Sequence, residues 1–575
     1  MQVHYLVNIP APQTHIVQVT LKAQRQPEQQ RLQFFLPAWS PGSYLVREYA
    51  RHIRSLSART SALLPLFCQQ ISKDTWEIDW TKSSIETQNS LDFQIDYEVY
   101  CHELTVRTAH IDNTHAFLHA PAYLLGIKNV ALINPIIYLQ FPNEWQSITT
   151  GLEALSKYPY CYIASDYDQL LDCPIEIGNQ TTDTFYVNNK AHHIGFYGDI
   201  YPHPYSLRQD MQTLVETISQ TMQSMPYNHY AFIVHFAPRL YGGLEHSNSS
   251  TLQFDGRKLG NRKEYIRWLG LVAHEYFHTW NIKRIRPADF AQLDYAQENY
   301  TRMLWLAEGL TSFVDDLFVY RAGLCSLEEY LERICEDLNR YYTIQGRYFH
   351  SLEDSSFNAW IKLYRPDENT ANSSISYYLK GGLIFALLNI QLSQFGKHID
   401  DFLHLLWQDY QTNPQAGITT EQVLAMITSL SNAEVSTEFY RFISTTEEID
   451  FASFYQQIGV QFIWKSSGKA WLGAEFEYRG ERVLIKTVHL NSPAYASGLN
   501  AGDEILAINR QRITVDDMQK LEILLSEQTY DFLIARTEQI LELPIMTGKA
   551  PETLDKLAVI DAEKARSVLW GQTSH

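Results

Sequence analysis

The 575-residue chain predicts a multidomain α+β protein, on three observations. It is too long to fold around one hydrophobic core. Its first part carries period-two apolar alternation, the mark of half-buried antiparallel strands. From about residue 321 the period lengthens to that of helices, and near 457 the texture returns to β. The expected organisation is an N-terminal β-sandwich lobe over 1–165 and a central lobe over 166–456, mixed α/β and then helical. A β domain over 457–548 and a C-terminal extension over 549–575 follow.

The elements follow in chain order. Val17, Val19 and Leu21 alternate with Gln18, Thr20 and Lys22, and Phe93, Ile95, Tyr97 and Val99 alternate with Asp92, Gln94, Asp96 and Glu98. Ser40-Pro41-Gly42 is a turn signal between strands. His102, His110, His115 and His119 have no ligand spacing and read as ordinary surface or core residues. Phe232, Val234 and Phe236 alternate before the chain turns at Gly242-Gly243. Asn261 with Glu264 reads as a capping box. Tyr265, Trp268, Leu269, Val272 and Tyr276 then recur at helical spacing, predicting a helix to about Asn281 that stops before Pro287. Trp305 to Thr311 is a second amphipathic helical stretch, and Ser326 with Glu329 is another capping box. Helical runs are expected around 382–392, 399–410 and 420–430. The polar tail after about Gly548 reads as a loose extension.

Composition narrows the function classes. A net charge of −19 with no basic run argues against nucleic acid or an anionic membrane as partner. The apolar fraction of 45%, with 36 tyrosines and 27 phenylalanines, can fill large cores. No apolar run approaches the roughly 20 residues that span a bilayer, so no transmembrane segment is expected. Met1-Gln2-Val3-His4-Tyr5 shows no basic or apolar leader region. Six scattered cysteines without a CxxC suit a reducing compartment. A cytoplasmic location is the default, although a mature secreted chain stripped of its leader would read the same way.

The chemistry concentrates at His274-Glu275-Tyr276-Phe277-His278. Two histidines at this spacing share one helix face and can grip one metal ion. Glu275 between them sits where it can polarise a bound water, a combination that points to a zinc hydrolase. The bland alternative is a buried helix whose histidines only hydrogen-bond. A catalytic zinc takes three protein ligands and keeps one position open for water. Glu308 is the candidate third ligand, preferred over Glu298 because an unpaired carboxylate in an apolar helical stretch is costly.

His274-Glu275-x-x-His278 followed by Glu308-Gly309 resembles the gluzincin (thermolysin-like) metallopeptidases, especially aminopeptidase N and leukotriene hydrolase. The longer connection beginning His278-Thr279-Trp280-Asn281-Ile282-Lys283-Arg284-Ile285-Arg286-Pro287 is similar to the glycyl aminopeptidase family, whose members end in a PDZ domain. Leu36-Pro37-Ala38-Trp39-Ser40-Pro41-Gly42-Ser43-Tyr44 resembles the same family. The resemblance implies a gluzincin catalytic lobe holding one Zn2+ through His274, His278 and Glu308. Tyr241-Gly242-Gly243-Leu244-Glu245-His246 resembles the Gly-x-Met-Glu-Asn strand of aminopeptidase N, departing from it at Leu244 and His246. It implies that Glu245 reads the substrate's α-amino group, with Gly242 and Gly243 letting substrate backbone approach. Tyr378-Leu379-Lys380-Gly381 resembles the Tyr-x-Lys-Gly element and implies that Tyr378 donates to the oxyanion. The adjacent Tyr377 stays open as the residue that points inward. Gly498-Leu499-x-x-Gly502-Asp503-x-Ile505-Leu506-x-Ile508-Asn509 resembles a PDZ core, with Pro493 opening its short helix. Trp471-Leu472-Gly473-Ala474 would be its carboxylate-binding loop, implying a peptide C-terminus as partner.

The resemblance implies a zinc aminopeptidase that removes small N-terminal residues, glycine or alanine, from peptide substrates, with Glu275 as general base. Two alternatives stay open: an endopeptidase using the PDZ domain to recruit substrate, and an inactive peptide-binding scaffold.

Overall fold

Val17, Val19 and Leu21 stand opposite Val99, Tyr97 and Ile95 across an antiparallel pair, and all six are buried. Gln18 and Lys22 between them are exposed on the other face, the alternation expected of a half-buried sheet. These contacts belong to a computed structural model describing residues 1–517 and 526–570. The chain forms two units. The first comprises Met1–Tyr300 with Arg321–Leu324 and Leu406–Ile418; the second comprises Thr301–Tyr320, Cys325–Leu405 and Thr419–His575.

In the first unit a seven-stranded sheet has the order Glu153–Ala154, Cys161–Ile163, Ile136–Gln140, Val3–Asn8, Ile16–Gln24, Asp92–Tyr100, Ile53–Thr60. A four-stranded sheet, Gly126–Ile127, Arg31–Phe35, Thr75–Asp79 and Cys68–Ser72, shares one core with it. Leu32, Phe34, Trp76 and Ile78 from the smaller sheet join Val19, Leu21, Phe93 and Ile95 from the larger, which is the packing of a sandwich. A five-stranded sheet follows, ordered Thr181–Val187, Lys190–Gly198, Tyr230–Phe236, Ser249–Phe254, Tyr241–Glu245. Its middle strand Tyr230–Phe236 runs parallel to both neighbours and is buried at every residue, as strands covered on both faces are. Tyr241–Glu245 pairs antiparallel and ends the order on its side. The helix Arg262–Phe277 packs on this sheet through Trp268, whose ring lies 5.4 Å from Phe236 and 5.6 Å from Phe254.

In the second unit Trp305–Gly309 is a π-helical turn that runs into the helix Leu310–Arg321. The helices Leu327–Thr343, Tyr377–Ser393 and Thr420–Leu430 follow where the sequence places helical runs, and Ser326 with Glu329 forms the expected capping box. Gly309 and Gly381 bring two helices into backbone contact, since a Cβ on Gly309 would lie 2.7 Å from the Gly381 Cα. The C-terminal β domain carries a six-stranded sheet around its own core of Leu472, Val483, Ile485, Leu499, Ile505, Phe532 and Ile545. Pro493–Ala496 is its short helix, capped by Ser492.

The polar tail is not loose. Thr553–Val559 pairs antiparallel with Val460–Lys465, and Ala562–Trp570 is a helix with Ala565, Val568 and Leu569 buried. The strand reads as polar because only Leu554 and Leu557 point inward while Thr553, Asp555 and Lys556 are exposed. Three asparagines fasten these parts to the helices by acting as spare peptide groups. Asn339 Nδ2 donates to the Leu554 carbonyl and its Oδ1 accepts from the Leu554 N–H, both at 2.8 Å. Asn372 Nδ2 donates to the Val488 carbonyl and its Oδ1 accepts from the Leu490 N–H, also at 2.8 Å. Asn389 Nδ2 donates to the Val568 carbonyl at 3.2 Å. The fold class is the multidomain α+β arrangement expected from the sequence. Among the described residues no helix is long and apolar enough to cross a membrane.

Candidate active site

The helix Arg262–Phe277 opens with the Asn261 side chain accepting from the Glu264 N–H at 3.2 Å, which satisfies one free donor of the first turn. Tyr265, Trp268, Leu269, Val272 and Tyr276 are buried as their spacing predicts. Regular helix ends at Phe277, short of the expected Asn281, with His278 as the capping residue. One more helical hydrogen bond, Asn281 N–H to the Phe277 carbonyl at 3.2 Å, carries the turn onward. The His274 and His278 rings lie 4.6 Å apart at 87°.

The shortened helix has a use. His278 Nδ1 donates to the Asn281 carbonyl at 2.8 Å, which fixes the ring and leaves Nε2 as its lone-pair nitrogen. Asn281 is followed by Ile282 at φ 93°, a left-handed conformation that a β-branched residue adopts only under constraint. The constraint includes the Ile282 N–H donating to the Ile285 carbonyl at 2.8 Å. The Arg284 guanidinium adds three bonds, to the carbonyls of Thr279 at 2.6 Å, Pro226 at 2.5 Å and Ser247 at 3.1 Å. The sequence shows this stretch as extra length and gives no sign that it orients a histidine.

Around Glu275 the strand Tyr241–Glu245 comes very close. A Cβ on Gly243 would lie 2.1 Å from Glu275 Oε1, so only glycine fits there. Gly242 has φ 150°, which side chains rarely permit. Glu245, Glu275 and His278 are all buried and offer ligand atoms within 4.8 Å of one another. The Ser40-Pro41-Gly42 turn closes over Glu245: a Cβ on Gly42, at φ 83°, would meet both of its carboxylate oxygens at 2.5 Å. Ser40 Oγ is held by His119 Nε2 at 3.0 Å, and burial keeps that imidazole well below its usual pKa. Arg107 Nη2 donates to the Gly243 carbonyl at 3.4 Å. His246, where the resemblance has asparagine, turns to Asp172 at 3.2 Å, and Lys283 Nζ reaches the same carboxylate at 2.6 Å. Burial works to raise Asp172, but Lys283 and His246 hold it well below the usual carboxylate range. Arg107 and Asp172 carry no local pattern that would single them out, and Gly42 and Lys283 stand in stretches that the sequence singles out without any sign of which residue they touch. Their partners are far away in sequence.

In the second unit Glu308 lies in the π-helical turn and is 2% exposed, whereas Glu298 is exposed. Tyr378 begins the helix Tyr377–Ser393, where Ser376 Oγ accepts from the Tyr378 N–H at 3.2 Å. Its phenol is pushed well above its usual pKa, first by burial and then by the Glu308 charge, so it stays protonated. Tyr377 is fully buried and stacks on Tyr378 with 4.8 Å between ring centres. Asp316, eight residues past Glu308, is engaged by Arg333 at 3.1 Å.

The family model for the M61 glycyl aminopeptidase matches residues 267–384, that for the peptidase M61 N-terminal domain matches 4–179, and a PDZ domain model matches 462–525. The last eight of those residues lie outside the described ones. The crystal structure of an aminopeptidase N family protein from Idiomarina loihiensis is 26% identical, with a TM-score of 0.91, covering 99% of this chain and 100% of its own. The crystal structure of an M1 zinc metallopeptidase from Deinococcus radiodurans shares the fold at 12% identity and a TM-score of 0.50, covering 78% of this chain and 95% of its own. No curated protein sequence matches the chain.

Proposed function

The chain belongs to the M61 glycyl aminopeptidase family of metallopeptidases, and from that premise we propose that it is a zinc-dependent aminopeptidase removing N-terminal glycine or alanine from peptides. The observation that carries the proposal is the buried grouping of Glu245, Glu275 and His278 within 4.8 Å. It supports a reading in which Glu245 takes a terminal ammonium, Glu275 is the general base and His278 gives a ligand nitrogen.

In this reading His274, His278 and Glu308 hold one zinc ion. Two imidazoles and a carboxylate are a catalytic-zinc donor set, and the His278 ring is already turned to offer Nε2. Bound zinc supplies the Lewis acidity that makes a water nucleophilic near neutral pH and polarises the scissile carbonyl. Glu275 accepts the proton of that water and delivers it to the leaving amine nitrogen. Glu245 accepts hydrogen bonds from the substrate's α-ammonium. Gly242 and Gly243 leave the strand bare where substrate backbone lies along it. Tyr378 donates its hydroxyl proton in a hydrogen bond to the reacting carbonyl oxygen, a task suited to a phenol because it is neutral near pH 7. The Gly42 turn pressed on Glu245 helps hold that carboxylate in place, and the preference for glycine and alanine rests on the family likeness. The partners of this reading are peptides: a substrate at the catalytic residues and a peptide C-terminus at the PDZ domain. The six unbridged cysteines favour a reducing, cytoplasmic setting.

The test is hydrolysis of free and N-acetylated Gly- and Ala-terminated peptides, with and without chelator. The expected result is cleavage of the free peptides alone, lost on chelation. Glu275→Gln should lower kcat by at least about 10²-fold while zinc is retained. Cleavage inside acetylated peptides would replace the proposal with an endopeptidase, and no cleavage by the zinc-loaded chain would leave a peptide-binding scaffold.

A further inference from the structure

Two histidines that read from sequence as ordinary residues meet at a hairpin of the first unit. The strands His110–Ile111 and His115–Leu118 pair antiparallel, and Asp112 lies in the turn between them. His110, Asp112 and His115 each offer a ligand atom, all within 4.8 Å of one another. His110 Nε2 and Asp112 Oδ2 are already 3.2 Å apart. Ligands of a common zinc-sized ion stand on the order of 3–4 Å from each other, given metal–ligand bonds of about 2 Å.

The rings are prepared from behind. His110 Nδ1 donates to the His102 carbonyl at 2.8 Å, and His115 Nδ1 donates to the Glu176 carboxylate at 2.6 Å. Backbone carbonyls and carboxylates in these positions are what hold metal-binding histidines, fixing the tautomer so that Nε2 carries the lone pair. Glu176 is fully buried and is shared with His235 Nε2 at 2.9 Å, so a charged acceptor is sunk into the protein behind the histidine. His115 Nε2 is the telling atom. Its side chain is 1% exposed, and the nitrogen has no hydrogen-bond partner. A buried polar atom left so is costly, and a metal ion would satisfy it. Asp112 spends its other oxygen, Oδ1, on the Thr114 N–H at 2.7 Å and the His115 N–H at 3.2 Å, which holds Oδ2 in place. The Asp112 side chain is 34% exposed, giving an ion a way in.

We propose that His110, Asp112 and His115 bind one divalent cation of the zinc class, apart from His274 and His278. Two imidazole nitrogens and one carboxylate oxygen select borderline ions such as Zn2+ over Mg2+ or Ca2+. The site pins the hairpin to the Glu176 strand and through it to His235, so its occupation stabilises the first unit.

The experiment is metal stoichiometry on the full-length chain, stripped with chelator, reloaded with Zn2+ and desalted. The unaltered chain should retain two zinc ions. Asp112→Asn, which keeps the oxygen that caps the turn, and separately His110→Gln should each retain one and keep peptidase activity. His274→Ala with His278→Ala should also retain one, and adding Asp112→Asn should take it to none. Co2+ loaded into the His274→Ala, His278→Ala chain should give ligand-field absorption in the visible that Asp112→Asn abolishes. Zinc content unchanged by both Asp112→Asn and His110→Gln overturns the proposal. The zinc counts and the Co2+ absorption do not depend on hydrolysis, so a failed peptidase assignment would leave them intact.

Discussion

Gly243 sets the tolerance of the candidate active site. A methyl group there would lie 2.1 Å from Glu275 Oε1, so the carboxylate must move. Gly243→Ala is expected to lower kcat by on the order of 10²-fold, as small displacements of reacting groups do, with zinc content and melting temperature nearly unchanged. Steady-state kinetics beside metal analysis checks this, and full activity would mean that the strand does not position Glu275. Lys380 offers a second test of a single residue. It is fully buried, its Nζ donates to the Thr445 carbonyl at 3.2 Å, and burial brings its pKa down from 10.5 to about 8. Between those values the unfolded chain binds more protons than the folded one, so stability rises with pH through that window and the penalty is fully present below it. Lys380→Met should therefore stabilise the protein at neutral pH by up to about 3 kcal/mol, less the lost hydrogen bond. Urea denaturation at neutral and alkaline pH should show the gain shrinking as pH rises. What was legible at this scale was the spacing of His274 and His278, because helical periodicity is a local property. The approach of Gly42 to Glu245 and the carbonyl that orients His278 were not, because a long-range contact and a left-handed Ile282 leave no periodic trace.

Strands and helices were read where one face is buried and the other wet. Ile16–Gln24 and Asp92–Tyr100 announce themselves by alternation, and Leu327–Thr343 by its cap. Trp305–Gly309 was legible as helix but not as a π-helical turn, since all five of its residues are buried, Glu308 included, and its widened turn comes from packing rather than from sequence period. Thr553–Val559 was missed because its inward residues are few, and its pairing depends on Val460–Lys465, far back in the chain. Asn339 makes both of its bonds to one residue of that strand, so Asn339→Ala leaves a backbone donor and acceptor unmet. The expected cost is about 1–3 kcal/mol, with hydrogen–deuterium exchange rising locally at Leu554 rather than across the helices. Uniform exchange would show that the strand is held some other way.

At the scale of the whole molecule, the return to β texture in the C-terminal part was legible and a PDZ domain lies there, but composition could not say how that domain is attached. A polar tail suggests something dispensable; the folded chain makes it a support. Deleting everything after Gly548 removes the partner of Val460–Lys465 and uncovers the ground on which Ala565 and Leu569 pack. The truncated protein is expected to melt several degrees lower, by about 2–4 °C for each kcal/mol lost, and to aggregate through the bared edge strand. Differential scanning calorimetry with light scattering checks both, and an unaltered melt would make the tail ornamental. The same pairing has another side. Lys465 lies opposite Thr553 at the mouth of the ribbon, so the chain leaves and returns at almost one point, and the PDZ domain is topologically an insertion in a hairpin loop rather than a bead on the end. A domain whose ends lie close together can be inserted with little disturbance to its host, and a two-residue turn joining Lys465 to Thr553 would return the host to an uninterrupted hairpin, its closing helix still in place.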